Sequence, residues 1–363
     1  MRIGIFGAGQ LGQMLGYAAR DLGHSCFFLD PSERPPAAKV GPVIQARFDD
    51  QVALTVLADK CDVLTYEFEN VPVQALADIA NLKAIFPSPD ALRHAQDRLA
   101  EKQLFESLDI PLSKYLAIES PQDLHQAIDS IGLPLVIKTR RLGYDGKGQF
   151  ILRDAEKFDV AWQELGDRGV IAEQWVPFDY EVSAIGVRNN KGETATYCLT
   201  HNEHADGILR TSRAPVDDPA LTELADQYMQ ILLAHLDYVG VLALELFVTN
   251  GELLANEFAP RVHNSGHWTI EGAATSQFSN HILAITGERP GSTDTLGYAG
   301  MINLIGQIPE AARQGHRGSL HDYGKTPRPG RKLGHITVIA DSSEDRDRQI
   351  AEINDSVTES TTR

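Results

Sequence analysis

The alternation of apolar and polar positions opens the chain on a strand, a helix and a second strand. Arg2 to Phe6 is an apolar run. Leu11, Met14, Leu15, Ala18 and Leu22 then keep helical spacing up to Gly23, and Ser25 to Asp30 resumes as extended chain. Between strand and helix stands Gly7-Ala-Gly-Gln-Leu-Gly12, a tight turn of the kind that brings backbone N–H groups toward an anion at a helix N-terminus. Asp62 to Tyr66 and Ala84 to Phe86 predict further short strands, so the first 95 or so residues read as a small parallel sheet. A proline-rich loop over 30–42 lies within it, and a single long amphipathic helix from about Asp90 to Leu108 leads out of it.

From Pro111 to Val170 the pattern is strand, helix, strand, glycine loop, strand, helix, with Ser120-Pro121 as cap and first turn and 133–139 as a buried strand. After 170–176 the chain is strand-rich, with helices near 219–237 and 275–287, which predicts a larger antiparallel sheet with helices packed on it. The polar segment from Ser342 predicts a surface helix and a frayed tail. The fold class is therefore mixed α/β and α+β, in four units: 1–97, 98–170, 171–341 and 342–363.

Composition narrows the function. With 363 residues, 42% hydrophobic and 23% charged, the chain is an ordinary globular one, and its net charge of -17 opposes nonspecific binding to nucleic acid or an anionic membrane. Small-molecule partners fit better. Cys26, Cys61 and Cys198 are far apart and form no CxxC pair, which points to reduced thiols and a cytoplasmic location; no stretch has the length and apolarity of a spanning or targeting segment.

Three stretches carry chemistry. Lys138 ends an apolar strand and precedes "RRLGYDGKGQ" (140–149), where glycines let amides reach phosphate oxygens and a lysine adds a point charge; the competing reading is a plain hairpin turn. Arg98 and Lys102 add positive charge upstream. Glu245 and Glu257 interrupt apolar strands, where a carboxylate is costly unless paired or metal-bound, and with Asn256 they make a hard oxygen site suited to Mg²⁺ on nucleotide phosphates. A two-residue Asn250-Gly251 turn, however, pairs Glu245 with Asn256 and turns Glu257 to the other face, so the site requires a bulge or another loop. The third stretch joins two polar loops. "PRVHNSGHWT" (260–269) concentrates recognition groups, and its His263 and His267, spaced i, i+4, lack the glutamate of a zinc-protease motif. "GKTPRPGRKLGH" (324–335) reads as an anion clamp or a solvated basic loop.

Together "GQLGQM", "YEFENV" (66–71), "GYDGKGQ", "EQWV", "HADGILRTS" (204–212), "NEFAPRVHNSGHWT" and "RPGRKLGH" resemble the ATP-grasp superfamily, and within it the purine-pathway synthases of 5-(carboxyamino)imidazole ribonucleotide, from the first glycine loop to about Ile339. The resemblance implies a Rossmann-like pre-ATP-grasp domain, a small lid lobe and a larger sheet-rich C-terminal lobe. It implies ATP held by Arg98, Lys138, the loop Gly143, Tyr144, Asp145, Gly146, Lys147, Gly148 and Gln149, the hinge Glu173, Gln174, Trp175 and Val176, and by Glu181, His204 and Asn256, with Mg²⁺, or Mn²⁺ in its place, on Glu245 and Glu257. Aminoimidazole ribonucleotide is expected to meet Gly9, Gln10, Leu11, Glu67, Tyr144, Asp145, Arg261, His263, Asn264, Ser265, Lys325, Arg331 and Lys332. The family usually has proline where this chain has Val262.

The implied reaction activates bicarbonate with ATP as carboxyphosphate, and carboxylates the substrate's exocyclic amine. Arg261 is the expected anchor for the bicarbonate-derived group and Lys325 a further catalytic group, while Asp145 and His263 both remain candidates for the amine proton. A homodimer is implied as well. The nearest alternatives are another ATP-grasp ligase joining a carboxylate to an amine, a nicotinamide oxidoreductase resting on Gly7, Gly9, Gly12 and Asp30, and a nucleotide-binding regulator without turnover.

Overall fold

The computed structural model describes residues 1–143, 148–165, 169–313 and 318–359. Its first unit runs β1 (Arg2–Phe6), α1 (Gln10–Asp21), β2 (Ser25–Asp30), β3 (Val43–Gln45), α2 (Gln51–Lys60) and β4 (Val63–Tyr66). The four strands pair in parallel in the order β3-β2-β1-β4. Helix α3 (Val73–Ala80) follows, and Ile85 adds only a single parallel bridge to Leu64 where a strand was expected.

The long helix expected from 90 to 108 is two helices, α4 (Pro89–Ala95) and α5 (Arg98–Ser107). Asp97 divides them, because its carboxylate accepts from the backbone N–H of Leu99 and so begins a new helix instead of continuing the old one. Helix α5 then packs on the large lobe, where Leu104 and Phe105 join a cluster containing Phe258, with the Phe105 and Phe258 rings 6.0 Å apart.

The second unit is an antiparallel sheet of β5 (Tyr115–Ile118), β6 (Leu135–Thr139), β7 (Gln149–Leu152) and β8 (Val170–Gln174), ordered β5-β8-β6-β7, backed by α6 (Pro121–Ile131) and α7 (Phe158–Leu165). A division between residues 170 and 171 falls inside β8, which belongs wholly to this small sheet.

The third unit contains β9 (Tyr180–Arg188), β10 (Thr194–Thr196), β11 (Thr200–Ala205), β12 (Ile208–Ala214), α8 (Pro219–His235), β13 (Gly240–Thr249), β14 (Glu252–Ala259), α9 (Thr269–Gly272), α10 (Gln277–Ile285), β15 (Tyr298–Ile305), β16 (Ser319–Asp322), β17 (Lys332–Ala340) and α11 (Ser343–Glu359). Its antiparallel sheet runs β14-β13-β9-β11-β12-β15-β17-β16, with β10 on β9. The run from Val241 to Val248 is apolar on both faces for a reason. Val241 and Ala243 pack toward α10 in one core, while Leu242 and Leu244 pack with Met229 and Leu232 of α8 in another. The helix from Ser342 onward is docked by Ile350 and Ile353.

The first unit docks through α1, whose Met14, Leu15 and Ala18 share a core with Phe278 and Ile282. One buried histidine stitches the seam: Thr65 Oγ1 and His281 Nε2 lie 2.9 Å apart, and the backbone N–H of Val241 donates to His281 Nδ1. Among the described residues no helix is long and apolar enough to cross a membrane.

Burial holds His281 neutral, lowering its pKa from 6.5 to about 3. Above pH 6.5 both folded and unfolded chains leave it uncharged. Below that the unfolded chain binds a proton that the fold refuses, so stability falls as pH drops toward about 3. Urea unfolding is expected to weaken between pH 7 and 5 by up to ~1.4 kcal/mol per pH unit from this residue. His281→Gln is expected to lower stability at pH 8 and flatten that slope; an unchanged slope would remove His281 as its source.

Candidate active site

The hairpin β13–β14 closes on Asn250 and Gly251, both with positive φ, as a two-residue turn of this sequence should. Thr249 pairs with Glu252 and Leu246 with Ala255, and then the register shifts, so that Glu245 faces Glu257 and Asn256 is the extra residue. The required bulge is therefore present at Asn256 itself. It brings both acids to one face, at the wall of a cavity of about 910 Å³ that touches all three units.

Two acids so close need compensating partners. Arg98 Nη1 donates to Glu257 Oε2 at 2.6 Å, and His263 Nε2 lies 3.0 Å from Glu245 Oε1. Burial raises the Glu257 pKa, yet Arg98, Lys138 and Lys102 outweigh it and hold the acid down at about 2. Glu245 is likewise lowered, because His263 more than offsets its burial. Behind them Glu173 Oε2 takes Lys138 Nζ at 3.0 Å and Lys102 Nζ at 3.3 Å, while Lys102 also donates to the Asn256 carbonyl. Glu173, expected on the adenine hinge, is thus the buried counter-charge of two lysines, whose fields hold its pKa near 2 against the opposing pull of burial. Two polar atoms stay buried and unsatisfied here, Asn256 Oδ1 and Glu173 Oε1.

The opposite wall comes from the polar loops. Arg261 pairs with Glu69 and donates to the Val262 carbonyl, leaving its Nε buried without a partner. Val262 itself is core. Lys325, Arg331 and Lys332 line the same cavity, and burial with nearby Arg331 lowers the Lys325 pKa to about 8. Asn264 lines it too, locked to Asn303 by reciprocal amide bonds of 3.0 and 2.8 Å. His204 and Glu181 form an ion pair on adjacent strands at the rim. His267 is a core histidine, its Nδ1 3.2 Å from Gln277 Nε2, and no cluster of three or more metal-ligating side chains occurs among the described residues.

The first glycine loop faces this cavity with Gln10, Leu11 and Glu67. Two of its amides, however, are already taken by Glu67. Gly9 N–H donates to Glu67 Oε1 at 2.5 Å and Gly12 N–H to Glu67 Oε2 at 2.7 Å. The glycines make room for that carboxylate: a Cβ on Gly7 would meet Glu67 Cγ at 2.4 Å, and one on Gly9 would meet Oε1 at 2.6 Å. Asp30 takes the Ala8 and Ser32 amides. The loop is a helix N-terminus capped by Glu67, with the Gly7, Ala8, Gly9 and Gly12 amides all bonded within the protein.

Not every expected residue reaches the cavity. Ser265 is fully buried and Gly9 is turned to Glu67, while Lys138, Glu173, Gln174, Trp175, Val176, Gly148 and Gln149 lie outside the cavity wall, although Gly143 is in it. Arg153 stacks over the Trp175 ring at 4.9 Å. Tyr144, Asp145, Gly146 and Lys147 lie outside the described residues. Glu69 and Asp97 are among the contributors that were not anticipated. Glu69 holds Arg261, and Asp97 binds Arg140 and Arg141 at 2.7 and 3.2 Å, tying the root of the β6–β7 connection to α5. Glu69 lies in the motif 66–71 beside Glu67, which was a usable signal; nothing in the sequence marked the reach from 97 to 140.

The wide crevice between a small and a large antiparallel sheet, with basic groups converging on two acids, defines an ATP-grasp enzyme. The ATP-grasp domain model matches residues 103–278, the ribonucleotide synthetase preATP-grasp domain 1–96 and the phosphoribosylaminoimidazole carboxylase C-terminal domain 299–349. A Pseudomonas aeruginosa N5-carboxyaminoimidazole ribonucleotide synthase is 46% identical over 355 residues, covering 97% of this chain and 98% of the relative. The structure of the Thermus thermophilus synthetase superposes with a TM-score of 0.92 at 46% identity over 96% of each chain. An Aspergillus clavatus synthase bound to ADP and 5-aminoimidazole ribonucleotide gives 0.92 at 30% identity, covering 99% of this chain and 98% of that one. The chain belongs to the N5-carboxyaminoimidazole ribonucleotide synthase family.

Gly9→Ala forces Cβ against Glu67 and is expected to cost roughly 1–3 kcal/mol in urea unfolding. In a Glu67→Ala background the same substitution should cost clearly less, since the clashing carboxylate is gone. Equal costs in both backgrounds would contradict the self-capped loop.

Proposed function

We propose that this chain uses ATP and bicarbonate to carboxylate the exocyclic amine of 5-aminoimidazole ribonucleotide, giving the carboxyamino product, ADP and phosphate. The observation that carries the reading is the bulge-set pair Glu245 and Glu257, facing one cavity with Arg98, Arg261 and Lys325. The relatives' names and the ligands of the Aspergillus clavatus structure support the substrates.

A divalent cation fits the acids. Mg²⁺ takes one or two protein carboxylates and leaves the rest of its shell to phosphates and water, and here two acids stand beside an orphaned Asn256 Oδ1. Such an ion supplies neutralisation of charge on the transferring phosphoryl oxygens. Arg98 is held by Glu257, so arriving phosphates compete for this cation and release Glu257 as they do, while Lys138 stays paired with Glu173 just behind.

Arg261 suits the bicarbonate-derived group, because a planar fork matches a carboxylate-like oxyanion and Glu69 fixes its orientation. Lys325, Arg331 and Lys332 form the positive edge for the ribonucleotide phosphate, with Gln10 and Glu67 on the facing wall. Enclosure matters because water would hydrolyse carboxyphosphate before the amine reaches it. A homodimer in the cytoplasm completes the reading. The nicotinamide alternative loses its anchor, since Glu67 fills the loop where a pyrophosphate would sit.

ADP formation is expected to require bicarbonate and 5-aminoimidazole ribonucleotide together, measured by omitting each substrate in turn. Full turnover with formate replacing bicarbonate would reassign the ligase. Glu257→Gln is expected to lower ADP formation roughly 100-fold or more while leaving the thermal midpoint near that of the wild type. Near-normal turnover would remove Glu257 from the phosphoryl-transfer site.

A further inference from the structure

A line of buried polar groups lies behind the crevice wall. Ser212 on β12, Asn202 on β11, Ser183 on β9 and Ser265 beyond β14 are each no more than 4% exposed. Ser212 Oγ donates to Asn202 Oδ1 at 2.7 Å, Asn202 Nδ2 donates to Ser183 Oγ at 3.0 Å, and Ser183 Oγ donates to Ser265 Oγ at 2.7 Å. Ser265 Oγ lies 2.9 Å from His263 Nδ1. Each member is satisfied by the next, as a buried network must be to avoid a stranded polar atom.

The line has one consistent direction. An amide has an acceptor on one side and donors on the other, so Asn202 sets the sense for every hydroxyl beyond it. With Asn202 donating to Ser183, the Ser183 proton goes to Ser265 and the Ser265 proton to His263 Nδ1. Both flanks agree. The Ser265 backbone N–H, which can only donate, faces Nδ1 at 3.4 Å, and the Glu245 carboxylate, which can only accept, faces Nε2 at 3.0 Å.

We infer that Ser265, Ser183, Asn202 and Ser212 are positioning residues that lock His263 with its proton on Nε2, so that the ring presents a hydrogen-bond donor to Glu245. Ser265, placed by its sequence among the substrate contacts, works instead from behind the wall. The catalytic consequence, though not the tautomer itself, rests on the function proposed above. A ring with Nε2 protonated toward Glu245 and Nδ1 turned to buried Ser265 presents no open acceptor to the substrate's amine. Its task is to hold one oxygen of Glu245 and leave the other open to the cavity. Of the two groups considered for that proton, His263 is therefore withdrawn.

The test is long-range ¹H–¹⁵N spectroscopy of the full chain labelled with ¹⁵N-histidine, with His263 assigned by its loss in His263→Gln. The wild type should show a protonated Nε2 and a bare, accepting Nδ1. Ser265→Ala should admit the second tautomer and lower kcat about tenfold while KM for ATP changes less than about twofold. Ser265→Thr, which keeps the hydroxyl, should restore a single tautomer and most of the rate. Wild-type protein protonated on Nδ1 would overturn the inference, as would Ser265→Ala with unaltered tautomer and kcat. Should Ser265→Ala fail to fold, the wild-type spectrum decides alone. If the chain instead proves to carboxylate another amine, the spectral result still stands, so the two failures are distinguishable.

Discussion

Placing two carboxylates side by side against a partly desolvated wall is unfavourable, and the arrangement around Glu245 and Glu257 follows from offsetting that cost. Arg98 comes from α5, His263 from the loop after β14, and Lys138 and Lys102 share Glu173 just behind. These groups arise from separate elements, so the acids act as the point on which the small sheet, the large sheet and the helix between them converge. Of these groups Arg98, Lys138 and Lys102 are cations, and cations are also what phosphates require, so the groups that offset the acids are suited to a phosphate ligand as well.

The first domain solves a different problem with similar parts. Its glycine loop has the spacing of a dinucleotide cradle, but the anion it holds is internal: Glu67 caps α1 through the Gly9 and Gly12 amides. Two residues on, Glu69 reaches across to Arg261. The turn after β4 thus carries two acids with opposite roles, one closing a helix terminus and one orienting a cation across the domain seam. With the Thr65 to His281 contact, this makes the first domain part of the crevice wall and not an appendage.

Much of this was legible in the sequence because it depends on local patterning. The helical spacing of α1, the apolar strands and the Asn250-Gly251 turn each report on nearest neighbours, and the conflict between that turn and a shared face for Glu245 and Glu257 correctly required a bulge. What stayed hidden depends on tertiary partners. Asp97 reads as one more polar residue on an amphipathic helix until Arg140 and Arg141 are seen on it. Ser265 in a polar loop reads as a ligand contact until it is found fully buried against Ser183. Glu173 sits in a hinge motif, and only folding shows it neutralising two lysines.

The central claim is that those two acids jointly hold a divalent ion once nucleotide phosphates compete for Arg98. Titrating the chain with Mn²⁺ and following the free ion by electron paramagnetic resonance, with and without ADP, addresses this without any turnover. The prediction is a single tight site in the presence of ADP, weaker by at least roughly tenfold without it, and absent in Glu245→Gln. Equal Mn²⁺ affinity with and without ADP, or a site that survives Glu245→Gln, would contradict it.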